Sequence, residues 1–220
     1  MKTILLVDDH PMIRKGIRAL VESLPEAHLV LEAGTRVEAQ TLLESNDVDL
    51  AVVDLVLGAE DGLDFIKEIT HRFKNLKVLV MSMQPEALYA ERVLKAGALG
   101  MVSKSDEHDQ VLAAVQTVML GEFYLTRATQ ALVLKKLLKR SMPKGDSPVS
   151  QLSDRELHVF QMLGTGYTTA EVAEHLGLSR KTVEAHREKI KRKLKIKDAK
   201  SLVAAASVWV QGDSPGDFQI

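Results

Sequence analysis

The sequence predicts an α/β domain built on a five-stranded parallel sheet, followed by a smaller all-α domain. Five short apolar runs alternate with segments of helical periodicity in the first half of the chain. The second half carries helical periodicity only, and a stretch rich in Ser, Pro and Gly separates the two patterns. With 45% hydrophobic residues among 220, the chain is long enough to form two separate cores.

The five predicted strands lie over 4–7, 28–33, 49–54, 77–82 and 98–103. Each is a continuous apolar run, which is typical of parallel strands that are buried on both faces. After each strand, apolar residues repeat at three- and four-residue spacing, so a helix is predicted to follow each one. A sheet wound in this way is flavodoxin-like, and we expect the strand order 2-1-3-4-5.

The rest of the chain divides by composition. We predict the α/β domain over 1–122, a connecting segment with one helix over 123–148, a helical domain over 149–211 and a tail over 212–220. Ser, Pro and Gly collect over 141–150 without periodicity, which is typical of a linker.

The net charge of −1 hides an asymmetry. Residues 1–127 contain 13 basic and 20 acidic side chains, whereas residues 180–200 contain ten basic and three acidic ones. A local basic stretch indicates either a solvated helix face or a nucleic-acid surface. The longest apolar run, 202–210, is too short to span a membrane. Because the chain also lacks Cys and a secretory signal pattern, we expect a cytoplasmic protein that does not bind membranes.

Polar side chains stand where the predicted strands end. Asp8 and Asp9 follow the first strand, Asp54 ends the third, Ser82 ends the fourth and Lys104 follows the fifth. In an open parallel sheet, ligands bind beyond the carboxyl ends of the strands, so we expect these side chains to meet there. Taken singly, each has an ordinary explanation, such as a helix cap or a turn.

Three carboxylates at one sheet edge repel one another unless a cation joins them. A hard ion such as Mg²⁺ fits, because it prefers oxygen ligands, needs only a few from the protein and keeps several waters. A carboxylate beside Mg²⁺ and an ammonium can attack phosphorus and form an acyl phosphate. The residues therefore predict Mg²⁺ binding and phosphoryl chemistry at this edge.

These residues resemble the site of a bacterial two-component receiver domain over 1 to about 120, and the run DDHPMIRKGI resembles the NarL/FixJ class of response regulators. The resemblance implies that Asp54 accepts phosphate from a sensor histidine kinase. The implied Mg²⁺ ligands are Asp8, Asp9, Asp54 and the backbone carbonyl of Val56.

By the same resemblance, Lys104 contacts the phosphoryl group and Ser82 moves to bind it. Two features depart from the usual pattern. Leu57-Gly58 stands where this class commonly has Met-Pro, and Met101 occupies the place of an aromatic residue that usually swings inward on activation. Met is flexible and lacks a hydroxyl, so the usual coupling between serine and aromatic side chain is not expected here.

The second half contains a helix-turn-helix pattern. Capping boxes begin at Ser153 and Thr168, a short helix over 169–176 ends at Gly177, and the next helix starts after Ser179. Taken alone, this pattern is a moderate signal, because many helical hairpins share it.

The helix after the turn has two faces. Val183, Ile190 and Leu194 form an apolar stripe at helical spacing, and the opposite face is polar. A helix of this kind can enter the DNA major groove while its flanks hold phosphates. The residues predicted to contact DNA are Lys181, Thr182, Glu184, Ala185, Glu188, Lys189, Lys191 and Arg192.

Residues 150–210 resemble the LuxR-type helix-turn-helix domain through LSDRE, TTAEVAEHLGLS and KTVEAHREKIKRKL. The resemblance implies a four-helix domain whose last helix, which starts at Asp198, forms a homodimer. The positions that face bases in the family correspond to Glu184, Ala185 and Glu188. Alternatively, the two glutamates form intrahelical pairs with Arg187 or Arg192.

Together these features predict a phosphorylation-dependent transcription regulator that binds double-stranded promoter DNA as a homodimer and is not a metabolic enzyme. Two alternatives stay open. A metal-dependent phosphotransferase would normally carry a second acidic residue two positions after Asp54, where Val56 stands. A receiver used only for protein docking would have lost Asp54 or Lys104.

Overall fold

The chain divides into two compact units, residues 1–143 and 144–220. The predicted tail over 212–220 and residues 141–147 of the predicted linker lie outside the described residues. Among the helices that are described, none is long and apolar enough to cross a membrane. The computed structural model describes residues 2–24, 28–58, 60–140 and 148–211.

A parallel sheet of five strands forms the centre of the first unit. Its order is β2-β1-β3-β6-β7, and β4 and β5 form a separate antiparallel hairpin. The predicted flavodoxin-like order is confirmed, because β6 and β7 are the fourth and fifth strands of the sheet. The strands are β1 (Lys2–Val7), β2 (His28–Ala33), β3 (Leu50–Val53), β4 (Val56–Leu57), β5 (Glu60–Asp61), β6 (Lys77–Ser82) and β7 (Gly100–Ser103).

Helices cover both faces of this sheet. On one face, Leu6 and Val52 pack with Ile17 and Val115 in a single apolar cluster. Val53 points to the opposite face and is also fully buried, so the strands are dry on both sides, as their apolar runs predicted. The covering helices are α1 (Pro11–Glu22), α2 (Arg36–Ser45), α3 (Gly62–Arg72), α4 (Glu86–Lys95) and α5 (His108–Met119).

The hairpin β4–β5 is an element that the apolar pattern did not predict. Its turn contains Gly58 with a φ of +56°, a conformation that favours glycine. At its end, the Gly62 amide donates a hydrogen bond to the Leu55 carbonyl at 3.0 Å. A Cβ at Gly62 would overlap the carbonyl oxygen of Asp54. Glycine at this position therefore lets the chain return directly against the end of β3.

A sixth helix, α6 (Arg127–Arg140), belongs to the first unit and lies within the segment predicted to connect the domains. The carboxylate of Glu86, the first residue of α4, accepts hydrogen bonds from the Thr126 amide at 2.8 Å and from the Thr126 hydroxyl at 2.7 Å. It also accepts one from the Thr129 hydroxyl at 3.1 Å. One carboxylate therefore sits at the N-terminal ends of two helices, where negative charge is stabilising.

The residues before α6 extend the sheet at its β7 edge. The Tyr124 amide donates to the Leu99 carbonyl at 3.0 Å, and the Met101 amide donates to the Tyr124 carbonyl at 3.2 Å. A Cβ at Gly100 would come within 2.5 Å of that Tyr124 carbonyl, so glycine permits the close approach. The segment that leads into α6 is thus bonded to the strand that carries Met101.

The second unit is all-helical, as predicted. Both capping boxes are present, at Ser153 and Thr168, and the Ser179 hydroxyl caps the helix after the turn. Phe160 and Trp209 pack with ring centroids 5.6 Å apart, which joins the first and last helices. The elements are a 3₁₀ turn (Pro148–Gln151), α7 (Asp154–Gly164), α8 (Thr169–His175), α9 (Arg180–Leu194) and α10 (Ala199–Val210).

A histidine is buried on α7. His158 exposes only 7% of its surface. Burial, reinforced by the charge of Arg155, lowers the pKa of His158 from 6.5 to about 4. Folding therefore holds the imidazole neutral over a pH range in which the unfolded chain binds a proton.

We expect acidification to destabilise the second unit. The free energy of unfolding should fall as the pH drops below 6.5 and level off near 4, with on the order of 3 kcal/mol lost through His158. Trp209 is the only tryptophan, so its fluorescence in urea titrations of the full chain reports this unit alone. His158→Gln should flatten the pH dependence of the free energy of unfolding. If the slope in His158→Gln equals that of the wild type, other groups cause the pH dependence.

Candidate functional site

The polar residues that end the strands meet at one edge of the first unit's sheet. Asp8 follows β1 and is 3% exposed, and Asp54 follows β3 and is 4% exposed. The Asp8 amide donates to the Ala33 carbonyl at 3.2 Å, and the Asp54 amide donates to the Val7 carbonyl at 2.9 Å. Because these bonds continue the pairing between adjacent strands, the sheet itself holds the two carboxylates side by side.

Lys104 joins the two buried carboxylates. Its Nζ lies 2.6 Å from Asp8 Oδ2 and 2.6 Å from Asp54 Oδ2, and its side chain is 5% exposed. Burial opposes charge on this ammonium, but the two carboxylates outweigh burial and raise the pKa of Lys104. Burial also raises the pKa of Asp54, against the opposing pull of Lys104.

Asp9 and His10 complete the cluster on its solvent side. Asp9 Oδ2 accepts a hydrogen bond from the Gly58 amide at 2.9 Å, which ties the hairpin turn to the end of β1. His10 Nδ1 lies 2.6 Å from Asp9 Oδ1 and 3.3 Å from Asp8 Oδ1. Asp8, Asp9, His10 and Asp54 each offer one ligand atom, and these four atoms lie within 4.8 Å of one another.

Two carboxylate oxygens in this cluster find no hydrogen-bond donor in the described part of the chain. Asp9 Oδ1 and Asp54 Oδ1 are buried and accept no hydrogen bond from the residues that the structure describes. Buried acceptors are normally satisfied, so these oxygens suit a cation. The carboxylates form an oxygen-rich set that fits Mg²⁺, because this ion prefers oxygen ligands, needs only a few from the protein and keeps several waters.

Two further residues predicted for this site adjoin it. The backbone of Val56 lies close enough to Asp54 to lower the pKa of that carboxyl, against the larger effect of burial, while the role of the Val56 carbonyl stays a prediction. Ser82 ends β6 and is 1% exposed, and its hydroxyl accepts a hydrogen bond from the Gln84 amide at 3.3 Å. The Lys104 amide donates to the Ser82 carbonyl at 3.1 Å, so these two residues share the edge with Asp54.

Met101 lies farther from this edge. It is in β7, two residues before Ser103, and pairs with Val80 of β6. It is fully buried, so a flexible thioether fills this part of the core and supplies no hydroxyl.

His10 is the member of the cluster that the sequence pattern did not single out. It lies inside the run DDHPMIRKGI, directly after the acidic pair. Pro11 follows at the first position of α1, where its fixed φ suits the start of a helix. An imidazole beside two carboxylates is a recognisable ligand combination, so the signal was present in the sequence.

Helix α9 carries the predicted DNA contacts on its exposed side. Val183, Ile190 and Leu194 are buried, as their spacing predicted. Lys191 is partly exposed. The other predicted contacts are all exposed, namely Lys181, Thr182, Glu184, Ala185, Glu188, Lys189 and Arg192.

Both glutamates on this face form intrahelical pairs. Glu184 Oε1 accepts a hydrogen bond from Arg187 at 2.9 Å, which is one of the expected alternatives. Glu188 Oε1 lies 2.8 Å from Lys191 Nζ, so its partner is Lys191 rather than Arg192. The Glu184 and Glu188 side chains nevertheless remain 53% and 68% exposed, so both are accessible to a ligand.

Known proteins match the chain along most of its length. The family described as the response regulator receiver domain matches residues 4–116, and the luxR family of bacterial regulatory proteins matches residues 150–206. Fimbriae Z protein of Escherichia coli K12 is 31% identical over 94% of this chain and 97% of its own. Response regulator UvrY of the same strain is 31% identical, with 89% of each chain covered. A putative transcriptional regulator of Pseudomonas aeruginosa is 36% identical over 88% of this chain and 91% of its own.

Solved structures share the fold. RcsB of Salmonella enterica serovar Typhimurium, bound to promoter P1flhDC with the phosphomimetic BeF3−, has a TM-score of 0.60 and 24% identity over 94% of this chain and 98% of its own. A LuxR-family two-component response regulator from Aurantimonas sp. has a TM-score of 0.57 and 28% identity over 62% of this chain and 97% of its own. The two family matches and the full-length relatives show that the chain belongs to the two-component response regulators of the NarL/FixJ class, which are transcription regulators.

Proposed function

We propose that this response regulator accepts phosphate on Asp54 from a sensor histidine kinase and then binds promoter DNA as a homodimer. The observation that carries the proposal is the contact of Lys104 Nζ with both Asp54 and Asp8 at 2.6 Å. A buried carboxylate beside a fixed ammonium is arranged for phosphoryl transfer, because the ammonium neutralises charge on the incoming phosphoryl oxygens.

In the proposed reaction, a carboxylate oxygen of Asp54 attacks the phosphorus atom of the kinase phosphohistidine. A P–O bond forms and the P–N bond breaks, so the histidine nitrogen leaves with the electron pair and Asp54 becomes an acyl phosphate. Lys104 contacts the phosphoryl group, and Asp8, Asp9, Asp54 and the Val56 carbonyl hold Mg²⁺. When bound, Mg²⁺ supplies further neutralisation of the phosphoryl oxygens.

The proposed output is DNA binding by the second domain. Helix α9 presents a basic, exposed face, and RcsB, which shares the fold, has been captured on a promoter with a phosphomimetic. We assign the receiver to 1–122, the connecting segment to 123–148, the DNA-binding domain to 149–211 and the tail to 212–220, in a protein that acts in the cytoplasm. The phosphotransferase alternative is weaker, because Val56 stands where its second acid would be.

Asp54 is expected to be the sole phosphate acceptor. After incubation with acetyl phosphate and Mg²⁺, the wild-type protein should gain one phosphate by intact mass, and Asp54→Asn should gain none. Asp64→Asn is a matched control, because Asp64 is a surface carboxylate paired with Lys67 on α3 at 3.0 Å. Labelling of Asp54→Asn at the wild-type rate would refute the assignment.

Ser82 is expected to transmit phosphorylation more strongly than Met101 does. Phosphate on Asp54 adds charge beside the Ser82 hydroxyl, whereas Met101 is a core side chain without a polar group. With a phosphodonor present, Ser82→Ala should reduce dimerisation in sedimentation experiments, and the volume-conserving Met101→Leu should change it little. A larger defect in Met101→Leu would reverse this assignment.

We expect different residues of α9 to read bases and to hold DNA phosphates. A carboxylate can accept a hydrogen bond from cytosine N4 in the major groove but is repelled by phosphates. Glu184→Ala should therefore relax preference at one position of each half-site, by about 1–3 kcal/mol, with little change in salt dependence. Lys189→Ala should weaken binding to all sequences and lower the salt slope by about one.

A randomised operator library, bound at two salt concentrations, measures both effects in one experiment. Glu188→Ala is the companion variant on the same face, and two-fold symmetric half-sites are expected because a dimer reads them. Unchanged base preferences in both glutamate variants would leave the intrahelical pairs as their only role.

A further inference from the structure

His10 contacts the acidic pair from the solvent side, and the function proposed above gives this contact no role. The imidazole is 66% exposed, and its Nδ1 lies 2.6 Å from Asp9 Oδ1 and 3.3 Å from Asp8 Oδ1. His10 precedes α1 as its N-cap residue, yet its side chain makes no capping hydrogen bond. The imidazole is therefore directed at the carboxylates and not at the helix terminus.

The spacing in this cluster is that of ligands around one metal ion. Adjacent ligands that each lie about 2.1 Å from an octahedral ion are about 3 Å apart. The distances from His10 Nδ1 to Asp9 and Asp8 are 2.6 and 3.3 Å, and an atom of Asp54 lies within 4.8 Å of the others. Asp9 Oδ1 accepts no hydrogen bond within the described residues, so its approach to Nδ1 is a close contact without hydrogen-bond geometry.

In each of the three carboxylates, the two oxygens have different surroundings. Lys104 contacts Oδ2 of Asp8 and Oδ2 of Asp54, and the Gly58 amide binds Oδ2 of Asp9. Oδ1 of Asp54 and Oδ1 of Asp9 are buried and without donors among the described residues. Oδ1 of Asp8 accepts a hydrogen bond from the His10 amide at 2.8 Å and also pairs with His10 Nδ1 at 3.3 Å. The Oδ1 atoms of Asp8 and Asp9 that meet the imidazole are thus the ones that Lys104 does not use.

We propose that His10 is a fourth side-chain ligand of this site, beside Asp8, Asp9 and Asp54, and that the site therefore binds a divalent transition ion such as Mn²⁺ more tightly than it binds Mg²⁺. The inference rests on the proposed metal site formed by Asp8, Asp9 and Asp54. Mg²⁺ prefers oxygen and gains little from an imidazole, whereas transition ions bind nitrogen well, increasingly so from Mn²⁺ to Cu²⁺. Pro11 restricts the backbone at His10, so little conformational entropy is lost when the ligands gather around the ion.

Mn²⁺ binding to the full chain tests the proposal. The electron paramagnetic resonance signal of free Mn²⁺ gives the Mn²⁺ affinity, and calorimetry gives that of Mg²⁺. Pulsed measurements on bound Mn²⁺ detect the ¹⁴N modulation of a directly bound imidazole. We expect this modulation in the wild-type protein and its loss in His10→Gln, with Mn²⁺ affinity weakened on the order of tenfold to a hundredfold. Mg²⁺ affinity should change much less.

Two control variants make the outcomes decisive. His71→Gln replaces an exposed histidine near the end of α3 and should keep the ¹⁴N modulation and both affinities. Asp9→Asn should weaken the binding of both Mn²⁺ and Mg²⁺. If Asp9→Asn weakens the binding of both ions but His10→Gln keeps the wild-type Mn²⁺ affinity and the ¹⁴N modulation, the role of His10 is wrong and the acidic site stands. If Asp9→Asn affects neither ion, the metal site itself is wrong, and the role of His10 falls with it.

Discussion

The contact of the Lys104 ammonium with Asp8 and Asp54 is the interaction on which the first domain depends. It joins the ends of β1 and β3 to a residue just beyond β7, so it forms only when these three strands end at the same edge of the sheet. Removing Lys104 would leave two buried carboxylates without their shared cation, and the loss of one partner from a buried ion pair costs about 3–5 kcal/mol. The site therefore constrains the topology together with the apolar core, and it places its least satisfied oxygens at the functional edge.

The same edge is mechanically linked to the segment that leads out of the domain. Ser82 and Glu86 are separated by a short loop, and the Glu86 carboxylate binds Thr126 and Thr129 at the start of α6. If Ser82 moves towards a phosphoryl group as proposed, this loop and the hydrogen bonds of Glu86 would carry the displacement to α6. This route needs no aromatic side chain on β7, which fits the presence of a buried Met101 there.

The parts of the fold that could be predicted are those with a local signal. The fourth sheet strand, 77–82, was predicted to the residue because an uninterrupted apolar run marks a doubly buried strand. The fifth begins at Gly100 and not at residue 98, although the Leu99 amide already donates to the Val78 carbonyl in the approach to the strand. The two-residue strands of β4–β5 are too short to show alternation. The edge pairing of Tyr124 depends on contacts between distant segments, so no local pattern encodes it. The contacts of His10 are local, because its partners Asp8 and Asp9 directly precede it.

Glu184 on α9 shows how an intrahelical pair and the proposed base contact are compatible. Arg187 and the Thr169 hydroxyl both bind Glu184 through Oε1, at 2.9 Å each, and Arg187 also contacts Thr169. Neither contact uses Oε2. Because α8 and α9 together fix the carboxylate, less side-chain entropy is lost when a base donates to the remaining oxygen. The intrahelical pair contributes only about 0.2–0.5 kcal/mol on its own, so it would preorganise Glu184 for the proposed base contact at little cost.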